Sequence, residues 1–115
     1  MLFRFPKDDK QFSWTSHVKR KMLQYRISEQ KIKTILRTPE RIEEGIAPET
    51  TASMKRNDTP KRKEELWVMY VKKPKVKGQM SKVTIVSTWR YPGVSPKDRA
   101  VPIPEDVWED LKSVL

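Results

Sequence analysis

The sequence contains no cysteine and a single histidine, His17. Without thiols there can be no disulfide framework and no thiolate zinc site. One imidazole argues against a His-based metal centre, so no metal or cofactor is expected. Three glycines are too few for a dinucleotide fingerprint, and no Gly-rich phosphate loop, nucleophile elbow or His-Glu-x-x-His spacing occurs. No apolar run approaches the roughly 20 residues of a spanning helix. The opening MLFRFPKDDK turns charged too soon for a signal peptide. The expectation is a soluble, cytoplasmic chain with no membrane partner.

What is present is positive charge. The 115 residues suffice for one domain and one core, and at 36% hydrophobic against 35% charged that core is modest. The formal charge of +10 is unevenly spread. Residues 101–115 carry Glu105, Asp106, Glu109 and Asp110 against Lys112, a net of −3, which leaves about +13 on the first hundred residues. Such a field attracts phosphate backbones and speeds encounter with them.

Periodicity predicts the elements. MLFRF suggests a short opening strand ended by Pro6, with KDDKQ as a polar link. Thr15 or Ser16 can cap a first helix, HVKRKMLQYR, with Val18, Met22 and Tyr25 turned inward. His17, Arg20, Lys21 and Gln24 then fall on the exposed side, with Lys19 and Arg26 at the boundary. A second helix starts at Ser28 with Glu29 in its first turn, buries Ile32, Ile35 and Leu36, and stops before Pro39. RIEEGI fits a strand with Ile42, Glu44 and Ile46 on one side, and TASMKR another. ELWVMYV is apolar on both faces, as a covered central strand should be, and pairs with KVTIVSTWRY. The connection KKPKVKGQMSK carries five lysines and no acid. Pro104 opens a last helix packed through Val107, Trp108, Leu111 and Leu115. This order predicts a single α+β domain over 1–115: a helical hairpin on one face of an antiparallel meander sheet, with a proline-rich segment and acidic helix over 92–115.

The chemistry left to such a chain runs on Lys, Arg, Tyr and one His. Metal-free RNA cleavage needs a base, an acid and cations to stabilise the phosphorane. His17 titrates near neutrality, and Arg20, Lys21, Arg90 or Tyr91 can hold phosphate, Arg bidentately. Trp67 and Trp89 lie in strands and fit a core better than a base platform. The lysines 72, 73, 75, 77 and 82 suit an arm tracking a phosphate backbone, together with Lys19 on the first helix.

The stretch TSHVKRKMLQYRISEQKIKTILRTPERI resembles the N-terminal half of a family of small bacterial, archaeal and phage domains grouped with the RelE-like toxins, nearest the BrnT-like branch. The shared pattern is a His opening a helix (His17), Arg20 and Met22 within it, and an Arg-Ile-Ser turn at Arg26, Ile27 and Ser28. Ile32, Ile35, Leu36 and Pro39 follow, and a later hairpin ends in Thr88-x-Arg90, so residues 14–91 are covered. The resemblance implies a RelE-like fold and a toxin-type ribonuclease acting on RNA, ribosome-bound mRNA included, held by an acidic antitoxin. It makes His17 the general acid/base and Arg20, Arg26 and Arg90 the phosphate clamps. Two other readings stand beside it: a non-catalytic RNA- or DNA-binding module, and a protein-interaction domain for an acidic partner.

Overall fold

Local signals start and stop the helices. In the computed structural model, which describes residues 4–72, 82–97 and 99–112, the first helix is α1, Ser16–Tyr25. The Thr15 hydroxyl accepts from the Val18 N–H and donates to the Val86 carbonyl, fastening the helix start to the sheet. Arg26 ends α1 in the left-handed region at φ 56°, and Ile27 donates back to Met22. Ser28 then caps α2, Glu29–Arg37, accepting from the Lys31 N–H, while Ile27, Ile32 and Ile35 are buried.

The strands are β1 (Phe12–Trp14), β2 (Arg41–Glu44), β3 (Thr51–Arg56), β4 (Glu64–Lys72) and β5 (Val83–Pro92), and α3 is Glu105–Lys112. They form one sheet in the order β1-β5-β4-β3-β2. β2 to β5 are the expected antiparallel meander, but β1 lies parallel to β5, so the sheet is mixed. The opening strand is also displaced. Arg4 and Phe5 are outside any strand, and residues 1–3 lie outside the described ones. KDDKQ is the turn that sets β1: Asp9 accepts from the N–H groups of Gln11 and Phe12, and Asp8 from that of Trp14.

β4 divides the core. Leu66 and Val68 face α1 and α2 in a cluster with Trp14, Val18, Met22 and Ile85. Trp67 and Met69 face the other way, with Ala52, Met54, Trp89, Val107 and Leu111. Trp67 and Trp89, paired across β4 and β5, are fully buried and stack at 6.3 Å between ring centroids. The helices therefore do not share one face, as the sequence suggested. The hairpin covers one side and α3 the other. Within α3, Val107 and Leu111 are buried as expected, but Trp108 is 38% exposed and Leu115 lies outside the described residues.

β2 alternates as predicted with the opposite phase: Ile42 is 59% exposed and Arg41 is buried. The guanidinium of Arg41 lies over the Trp67 ring and donates to the Ser95 carbonyl and hydroxyl, the Pro96 carbonyl and Glu43. Ser95 links this to Glu65, a fully buried carboxylate. Glu65 accepts from the Ser95 N–H and O–H, the Trp67 indole N–H and Arg56. This network ties the segment after β5 to the sheet. Glu65→Ala orphans several donors at once and should cost roughly 3 kcal/mol or more of stability. A urea midpoint unchanged from the parent would show that the network contributes nothing.

Candidate functional site

Part of the polar side of α1, His17 and Lys21, meets α3 rather than water, while Arg20 and Gln24 stay exposed. Lys21, expected on the surface, is 3% exposed, and its ammonium lies 2.9 Å from both Asp106 and Asp110. Burial works against its charge, but the bonds to the two carboxylates outweigh it and hold the pKa above the usual lysine value. Burial likewise disfavours the charged form of Asp106. Bonds from Lys21, Gln24 and Tyr25 overcome this and lower its pKa to about 2. Tyr25 is shifted up by burial and then by its bond to Asp106.

His17 is also inside this interface, 6% exposed instead of open to solvent. Its Nε2 pairs with the Ser87 hydroxyl at 2.8 Å. Nδ1 lies 4.0 Å from Asp110 and has no hydrogen-bond partner among the described residues. Desolvation, followed by the nearby Lys21 charge, holds its pKa below 6.5.

Arg90 serves the backbone. Its Nε donates to the Tyr25 carbonyl and Nη2 to the Arg26 carbonyl, capping the end of α1, while Nη1 pairs with Glu64. Arg90 is opposite Leu66 on the hairpin face, whereas Ser87, an odd number of positions away on β5, points to the α3 face. His17 and Arg26 are separated by nine residues of helix, about 13 Å. The four residues named as acid/base and clamps are thus not gathered in one open pocket. Arg20 and Arg26 are exposed, Lys19 half-buried, and Tyr91 half-buried against the α3-side cluster. Lys72 is exposed and Lys82 half-buried, while Lys73, Lys75 and Lys77 lie outside the described residues.

The feature that sequence reasoning missed is a groove of about 590 Å³ on the hairpin face, between α2 and the ends of β1, β5 and β4. One wall is the α2 face carrying Gln30, Lys33 and Arg37, spaced three and four residues apart. Phe12, Val83 and Lys72 form a row across the three strands, since Val83 pairs with Phe12 on one side and Lys72 on the other. Tyr70 adds a second ring, its hydroxyl bonded to Ser53. Lys33 reaches Glu29 at 2.9 Å and stands 5.2 Å over the Phe12 ring. Arg37 and Lys72 are exposed and form no ion pair with another described residue. Among the described residues lining the groove there is no carboxylate, although Glu29 pairs with Lys33 from the same helix. Among the described residues, no group of three or more His, Asp and Glu is placed to hold a metal ion, and no helix is long and apolar enough to cross a membrane.

The burial of His17 has a pH consequence. Its pKa is depressed in the folded state, so the stability tied to the neutral ring is complete above about pH 6.5 and is lost as pH falls toward the folded value. Asp106 and Asp110, also held low, lose their contribution only at more acid pH. Thermal melting should therefore drop from neutral pH to about pH 5, and less steeply in His17→Gln, whose amide can hydrogen-bond Ser87 in either direction. Equal slopes in the two proteins would exclude His17 as the source. No family model, curated protein or solved structure matches this chain, so its geometry carries the functional reading.

Proposed function

We propose that this chain is a nucleic-acid-binding domain that holds a phosphate backbone along the groove between α2 and the strand ends. The observation that carries this reading is the groove lining. Lys33, Arg37 and Lys72 come from two elements; Lys33 is paired with Glu29, while Arg37 and Lys72 have no anionic partner among the described residues. Elsewhere several cations are engaged internally: Lys21 by Asp106 and Asp110, Arg41 by Glu43, Arg56 by Asp58 and Glu65, and Arg90 by Glu64.

Binding without cleavage is the form this takes. A ribonuclease built on His17 and Arg90 requires both to reach one phosphate. The first is sealed under α3 and the second caps a helix end. A helical hairpin followed by a four-strand antiparallel meander is also the order expected of a RelE-like domain that has kept binding alone. An acidic antitoxin-type partner would then compete with nucleic acid for the same cations.

Affinity for short RNA or DNA should fall steeply with added salt. Arg37→Gln with Lys72→Gln should weaken binding about tenfold near 0.1 M salt and reduce the log–log salt slope by about two, with unchanged melting. Arg20→Gln should have little effect. Salt-insensitive binding, or full affinity in the double variant, would refute the proposal. RNA product that accumulates in EDTA and is lost in His17→Ala would restore the ribonuclease reading.

A further inference from the structure

The groove is more than a strip of cations, and its apolar half selects among nucleic acids. Resting on the reading above, we infer that its ligand is a single strand, with one unpaired base seated against Phe12 and Tyr70 while the backbone runs past Lys33, Arg37 and Lys72.

The size of the recess is the first argument. At about 590 Å³ it falls among pockets that enclose a small organic group, roughly 300–1,000 Å³. A duplex keeps its bases stacked inside and presents only sugar-phosphate and groove edges, so it has nothing to insert. A single strand can turn one base out.

The placement of the rings is the second. Phe12 and Lys72 flank Val83 in one row of the sheet, with two interstrand steps between them, about 10 Å. Tyr70 lies on the same face of β4, two residues before Lys72. Apolar floor, aromatic surface and cation therefore follow one another within the reach of a single nucleotide. Lys33 stands over the Phe12 ring, so a base that stacks there takes the ammonium's place and releases it to the phosphate of the same nucleotide.

Hydrogen bonding supplies the third. Gln30 and Gln11 are exposed at the groove, and each side-chain amide both donates and accepts. Such groups match the Watson–Crick edge of a base, which only an unpaired nucleotide leaves free. Phosphate recognition alone would need neither amides nor rings.

The test is fluorescence anisotropy on the full chain with a short mixed-sequence single strand, its duplex, and a nucleoside monophosphate as competitor. The single strand should bind at least about tenfold tighter than the duplex. Phe12→Leu should lower single-strand affinity about fivefold or more and leave duplex affinity unchanged, while Phe12→Tyr retains binding. Gln30→Ala, on an exposed helix face and without risk to the core, should lower single-strand affinity several-fold. Duplex binding as tight as single-strand binding, or no effect of Phe12→Leu and Gln30→Ala, overturns the inference. If Arg37→Gln with Lys72→Gln still weakens duplex binding, the proposed function survives that result. A monophosphate that binds as tightly as the oligonucleotide would make this a free-nucleotide site and overturn it too. Absence of binding to every probe removes both readings.

Discussion

β4 runs through the middle of the sheet with Leu66 and Val68 on one face and Trp67 and Met69 on the other, all buried. A strand apolar on both sides cannot be left half-covered, because each face removes its area from water only when another layer closes over it. The helical hairpin supplies one layer and α3 the other. α3 is consequently part of the core, with Val107 and Leu111 against Trp67 and Trp89. It is not an acidic appendage to an otherwise complete domain.

The closure by α3 changes the meaning of the positive charge. Its acidic residues meet Lys21, and the segment leading to it brings Ser95 to Arg41 and Glu65. Cations so engaged hold the layers together and are not offered to a ligand. Net charge therefore overstates the positive charge that is open to a ligand. What matters is which cations the fold leaves without a carboxylate. Among the described residues, Arg37 and Lys72 meet that condition beside a recess.

That recess depends on β1. A three-residue strand laid parallel to β5 carries Phe12 across from α2 and opens a space bounded by helix on one side and strand ends on the other. Thr15 then turns the chain straight into α1, with its hydroxyl fixed to the Val86 carbonyl. The Asp9 turn, the short strand that carries Phe12 into the groove and the Thr15 helix cap follow one another within residues 9–15.

Much of this was legible in the residues themselves. Thr15 and Ser28 announce helix starts because capping is settled within three residues, and Val18, Met22, Ile32 and Ile35 share the helical period of a buried stripe. The both-sided apolarity of β4 identified it as central. Gln30, Lys33 and Arg37 also have the spacing of one helix face, although nothing local says what stands opposite. Phe12–Trp14 is too short to signal a strand and becomes one only by pairing with Val83–Ile85. The burial of Arg41 in place of Ile42 depends on Ser95 and Pro96, and the burial of His17 and Lys21 on residues of α3. The helices and the central strand follow from neighbours in the chain, and the excess of positive charge from composition alone. Which charges are paired and which stay open is settled by folding, because ion pairs and grooves are made by residues that it alone brings together.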